Sequence, residues 1–215
     1  MKTKINIANL RLISLTAYII LGSQITNSQL YAQHQHHPNK ITAEKNIYIA
    51  IMDTMMADMH NIILGNTPDI AFLQQMIPHH EGAIAMAKYE IAHGKSIEMI
   101  HLAKSIVAKQ KKEITQMQLW LKQVKPARAK LPESFRIAIV STMDTMMGSM
   151  PKETELNTTD RAFAAVMKPH HQAAIDMAKV LLKYSSDPII NTYANQLTAK
   201  QQAEVSKMSQ FLSSK

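Results

Sequence analysis

Two stretches of this chain are copies of one another, and any fold must accommodate both. Met76-Ile77-Pro78-His79-His80 returns 91 positions later, without a gap, as Met167-Lys168-Pro169-His170-His171. The same offset carries Ala83, Ile84, Met86, Ala87 and Lys88 onto Ala174, Ile175, Met177, Ala178 and Lys179. It carries Met52, Met55, Met56 and Met59 onto Met143, Met146, Met147 and Met150, and Phe72 onto Phe163. Further along, Gln110, Glu113 and Met117 fall on Gln201, Glu204 and Met208. A chain with this register folds as two like modules, packed either as two bundles or as one body. Most of what survives between the copies is methionine and histidine. Thioether and imidazole groups suit copper(I), so the repeat reads as a duplicated metal-handling module.

Both copies read as helical. Glycine is scarce, proline sits mainly at element edges, and no alternating run of β-branched residues suggests a strand. A first helix is expected from about Thr42 to Leu64, stopped by Gly65-Asn66. Thr67-Pro68-Asp69 opens a second helix with a capping hydroxyl, a proline at the first position and a carboxylate at the positive end. That helix runs to about His93 before Gly94, and a third covers about Ser96 to Val124. The second copy predicts helices over about Pro132 to Met150, Thr159 to Tyr184, and from Asp187-Pro188 to Leu212. Helices joined by short connections make an all-α antiparallel bundle, with repeats over residues 42–125 and 133–215 and a linker over 126–132.

The N-terminus carries a different signal. Lys2, Lys4 and Arg11 precede an apolar run from Leu12 to Leu21, with a small residue at Ala32. This order reads as a secretory signal peptide over residues 1–32, followed by a flexible tail over 33–41 that contains His34, His36 and His37. The run is too short to span a bilayer, so the mature protein is expected to be periplasmic or secreted and not membrane-embedded. Removing three cations with the signal lowers the formal net charge from +8 to +5, and the remaining lysines are spaced as solvated helix faces. An exported protein with 5% aromatic residues offers no stacking platform for nucleic acid. Cysteine is absent, which excludes disulfides and thiolate sites and leaves methionine and histidine as the soft donors.

Pro78 and Pro169 fall inside their helices, where proline removes a backbone hydrogen bond and costs about 3 kcal/mol. Neither Ile77 nor Lys168 can cap a fresh helix, so a kinked continuation is expected. Successive residues are about 100° apart, so His79 and His80 point in different directions. His80 shares the apolar stripe with Met76, Ala83, Ile84 and Ala87, and His171 does the same in its copy; both are expected to point inward. Met76, His79 and Met86, with Met167, His170 and Met177, are expected to form edge-facing ligand rows. On the preceding helix Met52, Met56, Met59 and Ile63 form one stripe with Met55 at its border, and Met143, Met147, Met150 and Met146 repeat the plan. Such a stripe also serves as core packing. His60 adds an imidazole beside these methionines, although its counterpart is Pro151. His93 and His101 occur in one copy only.

The Met-x-x-His-His-x-x-Ala-Ile-x-Met-Ala core, preceded by Met-x-x-Met-Met-x-x-Met, resembles the bacterial domain-of-unknown-function family 305, present here as two tandem copies. The resemblance implies a ferritin-like helical bundle and is nearest to periplasmic copper-binding proteins of the CopM type, with a role in copper resistance. It points to Met76, His79, His80 and Met86, to Met167, His170, His171 and Met177, and to the methionines of the preceding helices. Gln172 stands for Glu81 and Ala173 for Gly82, so those two positions carry no shared role. The expected function is copper(I) binding, with silver(I) as a second ion, for buffering, transfer or resistance. Metal ions are the expected partners, and copper efflux or sensor proteins are the candidates among proteins. No catalytic pair is evident, so no enzyme activity is expected. A structural or signalling bundle with a Met-rich core is the alternative. A ferritin-like di-iron protein is a further one, but Glu98-x-x-His101 has Ile189 and Thr192 as counterparts.

Overall fold

The computed structural model describes residues 45–123 and 130–214. The signal-peptide and tail expectations, and most of the linker, lie outside the described residues. Among the described residues there are six α-helices, one short 3-10 turn at Glu153–Glu155 and no strand. The helices are α1 (Ile47–His60), α2 (Pro68–His93), α3 (Ile97–Gln123), α4 (Glu133–Gly148), α5 (Thr159–Leu181) and α6 (Pro188–Ser213).

Local chemistry sets most of these limits. Thr67 Oγ1 accepts from the Ile70 amide at 3.3 Å, and Pro68 takes the first turn of α2. Thr158, one residue before the expected Thr159, caps α5 through the Arg161 amide at 3.3 Å. Asp187 caps α6 twice, through Ile189 (2.8 Å) and Ile190 (3.1 Å). Helices α2 and α5 run on through Pro78 and Pro169, as the poor capping ability of Ile77 and Lys168 requires. Helix α1 ends at His60, short of Leu64, and Asn61 closes it through the carbonyls of Ala57 and Met59. Helix α4 stops at Gly148 because Pro151 draws the preceding residues out of helical conformation. Helix α5 stops at Leu181, and the carbonyls of Val180 and Leu181 bond Lys183, Tyr184 and Ser185 in a tightened turn.

Residues 44–215 form one compact unit, so the two repeats pack as one body. Helix α2 packs on α1 and α3 within its own repeat, α5 packs on α4 and α6, and α2 lies directly against α5. Connections of a few residues reverse the chain between α2 and α3 and between α5 and α6, which makes these pairs antiparallel. The core runs along α2 and α5. Phe72, Leu73, Met76, Ala83, Met86 and Ala87 are buried on different sides of α2, and their counterparts repeat this on α5. A helix buried all round is a central helix.

One break in the repeat shows how tightly α1 sits. A Cβ on Gly82 would meet Cγ and Sδ of Met55 at 2.9 Å, whereas the equivalent position beside Met146 is Ala173. Glycine at residue 82 lets Met55 lie on the α2 backbone. Gly82→Ala is expected to destabilise the protein by about 1–3 kcal/mol through overpacking, read as a lower urea midpoint with an unchanged slope.

Candidate metal centre

The Pro-His-His segments of α2 and α5 meet at the joint between the repeats. His79 and His170 are both fully buried, with ring centroids 3.8 Å apart and planes inclined by 37°. The ring Nε2–H of His170 donates to the main-chain carbonyl of His79 at 3.1 Å. Met76, Met86, Met167 and Met177 are buried as well. The edge-facing rows expected from helix periodicity are therefore not edges. The side of α2 that is free on an isolated repeat is covered by α5, and the reverse holds for α5.

His80 and His171 point inward, as the apolar stripe predicts. His80 Nε2 lies 2.9 Å from Glu113 of α3, and His171 Nε2 lies 2.9 Å from Glu204 of α6. Each carboxylate also receives a lysine from the opposite repeat: Lys200 reaches Glu113 at 3.2 Å and Lys109 reaches Glu204 at 3.1 Å. The two lysines share the offset of the repeat, so each contact has its mirror, as at a two-fold interface. Burial pushes both carboxyls up, yet the bonds from histidine and lysine outweigh it and hold Glu113 and Glu204 below the usual glutamate range. Burial drives His79 and His170 well below the usual imidazole range, and their neighbouring imidazoles add to the effect. Burial also lowers His80 against the opposing pull of Glu113. The resting state of His80 is a neutral ring that donates Nε2–H to an ionised carboxylate.

That assignment leaves lone pairs without partners. With Nε2 protonated and committed, Nδ1 of His80 and His170 is an acceptor without a hydrogen-bond partner, and Nδ1 of His171 has no partner either. Neither ring nitrogen of His79 has one. An unpartnered buried polar group costs roughly 1–3 kcal/mol, so four such rings are a large structural liability. A carboxylate that fixes one imidazole nitrogen while the other stays free is the arrangement that orients histidine toward a metal. Among the described residues no three His, Cys, Asp or Glu side chains converge as a metal cluster. Methionine sulfur is the other soft donor in the core around these rings.

The methionines of α1 and α4 divide between interior and surface. Met52, Met55 and Met59 are buried, as are Met143 and Met146, while Met56 and Met150 are half-buried and Met147 is exposed. Met55 therefore belongs to the inner face and Met56 to its flank, the reverse of the expected stripe. Ile63, expected on that stripe, is 92% exposed because α1 ends before it. Met56, Met59 and His60 line an open cavity of about 810 Å³ together with Met143 and Asp144, so both repeats contribute to it. Met146 and Met150 line a second cavity of about 510 Å³ beside Pro169. His93 stacks on Tyr89 at 4.0 Å and bonds its carbonyl, a surface packing role, and His101 is exposed. Sequence reasoning did not assign Glu113, Glu204, Lys109 or Lys200 to the site, although the first two already stood out in the repeat.

The described residues form an all-α helical bundle of two like repeats with paired histidines at its joint. The chain belongs to the family described as domain of unknown function (DUF305), which it matches over residues 20–121 and 139–215. It is similar to CopM in a silver-bound form, with 28% identity over 66% of this chain and 93% of that one and a TM-score of 0.51. The Cu(I)-bound form of CopM matches at 28% identity over 66% and 94% of the two chains, with a TM-score of 0.50. A DUF305 fragment from Deinococcus radiodurans shares the fold at 23% identity, covering 70% of this chain and 98% of that one, with a TM-score of 0.50. No curated protein matches the chain. No helix among the described residues is long and apolar enough to cross a membrane.

Replacing Glu113 tests the joint. Glu113→Ala strands the His80 Nε2–H and frees Lys200, and is expected to cost about 1–3 kcal/mol. Glu113→Gln keeps an acceptor and is expected to cost less; urea unfolding of the two variants reads the difference.

Proposed function

We propose that this protein binds copper(I), and silver(I) in its place, and holds the ion without chemical turnover. One observation carries this reading: neutral imidazoles buried at the α2–α5 joint present unpartnered nitrogens in a core rich in thioethers. Soft and borderline neutral donors favour a monovalent thiophilic ion over zinc, iron or magnesium. The residues that fit it at the joint are His79, His80, His170 and His171 with Met76, Met86, Met167 and Met177. Met52, Met55, Met143 and Met146 supply further sulfur from α1 and α4. Copper loads from the surface, and the open cavity offers the half-buried Met56 and the exposed His60 as donors that solvent reaches, with Met59 and Met143 buried behind them. Met147 and Met150 extend that surface supply on α4 and beyond it.

The family relationship supports the reading, since CopM is solved with Cu(I), silver and Cu(II). The signal-like N-terminus supports export, where a cysteine-free site escapes thiol oxidation. Buffering or delivery of copper outside the cytoplasm follows, with copper efflux or sensor proteins as the recipients of the ion.

Anaerobic Cu(I) titration against a chromophoric competitor tests the proposal. The mature protein is expected to take up copper, and the joint variant His79→Leu/His170→Leu to bind fewer equivalents. Silver(I) at about 100 times its Kd is expected to stabilise the fold by about 2.7 kcal/mol, seen as a higher Tm. Competition indistinguishable between the wild type and a variant lacking both methionines and histidines would leave packing as the sole role of these residues.

A further inference from the structure

A second polar cluster, outside the candidate metal centre, is only partly repeated in the other copy. Glu90, near the end of α2, is fully buried. Tyr48 of α1 donates its hydroxyl to Glu90 Oε2 at 2.9 Å, while Oε1 has no hydrogen-bond donor. Asp160, at the start of α5, reaches the same α2–α3 turn as Glu90: Glu90 Oε1 lies against Gly94, and Asp160 Oδ1 lies on the next two amides. Asp160 is itself pinned, because its Oδ1 accepts from the main-chain amides of Lys95 (2.9 Å) and Ser96 (2.7 Å) where α3 begins. Gly94 makes room for the carboxyl, since a Cβ there would run into Glu90 Oε1. The repeat offset places Asp69 opposite Asp160, and Asp69 accepts from Ser185, the residue opposite Gly94, but Ile139 stands opposite Tyr48 and Leu181 opposite Glu90. The buried Tyr48–Glu90 pair is therefore present in one copy alone.

The groups facing Glu90 fix its chemistry. Helix α1 supplies Tyr48, α5 supplies Asp160, and the start of α3 contributes only amide N–H groups, all directed at Asp160. Tyr89 and His93 lie on α2 itself, stacked on each other, and Tyr89 packs edge-on against Tyr48. No cation bonds Glu90 among the described residues. A buried carboxyl beside a second carboxylate held ionised by two amides is driven to keep its proton.

We propose that Glu90 and Asp160 hold one proton between them and form a pH-governed latch that ties α1 and the start of α5 to the α2–α3 turn. With the proton in place, Glu90 Oε1–H donates to Asp160 while Oε2 accepts from Tyr48, and every oxygen of the cluster is satisfied. Without it, two carboxylates stand side by side out of water and the tie weakens. The helix released first is α1, which carries Met52, Met55, Met56 and Met59. Burial, with Asp160 adding to it, pushes the Glu90 carboxyl up to about 7 from the ordinary 4.5. A carboxyl raised on folding lends its stability fully below the unfolded value, and that stability is lost as pH rises through the folded one. The latch is closed below about pH 7 and open above it.

Carboxyl 13C NMR of the full described chain, labelled at glutamate and assigned with Glu90→Gln, reads this directly. The Glu90 resonance is expected to titrate with a midpoint near 7 and to move toward the ordinary range in Asp160→Asn, whose side-chain oxygen still caps α3. Gln at residue 90 mimics the protonated form, donating to Asp160 and accepting from Tyr48. Glu90→Gln is therefore expected to match the wild type in Tm at about pH 4 and to exceed it by several degrees at about pH 8.5. A wild-type midpoint near 4.5, or a high midpoint that Asp160→Asn leaves in place, would overturn the latch. These outcomes are independent of whether copper binds.

Discussion

The burial of four imidazoles at the α2–α5 joint is the constraint on which this structure turns. Imidazole is put out of water only when it is neutral and its N–H is given to an acceptor. Here Glu113 and Glu204 serve two of the rings, and the His79 carbonyl serves a third. The histidine bonds, with lysines from the opposite repeat adding to them, hold those glutamates below the usual range, so the acceptors stay acceptors. The ion pairs are half exposed at their lysine ends and contribute little by themselves. Their effect is to fix which ring nitrogen carries the proton. Separating the repeats would break both halves of the network, which accounts for one body where the sequence contains two modules.

Magnitudes separate packing from ligation. A fully buried methionine stabilises the fold by roughly 1.5–3 kcal/mol relative to an exposed one, so methionine burial alone needs no metal. The histidines differ in sign. Each unpartnered ring nitrogen costs energy, and leucine or phenylalanine would fill the same space without that cost. A structure that keeps such groups in both copies holds an unmet demand for an electron-pair acceptor, and under the proposed function a thiophilic cation at the joint would meet it.

Much of this was legible in the chain. Thr67-Pro68, Gly94 and Asp187-Pro188 mark helix ends because capping and proline chemistry are local, and the offset of the repeat relates α1–α3 to α4–α6. The inward direction of His80 and His171 followed from the apolar stripe. The direction of His79 and His170 did not, because periodicity describes one helix and cannot say that a second covers its free side. For the same reason Met55 and Met56 exchanged places at the border of their stripe. Glu113 and Glu204 were visible as repeated residues, but pairing them with histidines 33 positions away required the α2–α3 and α5–α6 hairpins. Tyr48 and Glu90 left no trace in the repeat, because Ile139 and Leu181 replace them, although Asp160 is matched by Asp69.

In the proposed function the surface and the buried centre divide the work. His60 meets solvent, where ions would exchange, while the buried joint would hold them. X-ray absorption at the copper edge of the anaerobically loaded protein tests the central claim most directly. The account predicts Cu(I) with sulfur and nitrogen together in the first coordination shell. A shell of oxygen and nitrogen without sulfur would contradict it.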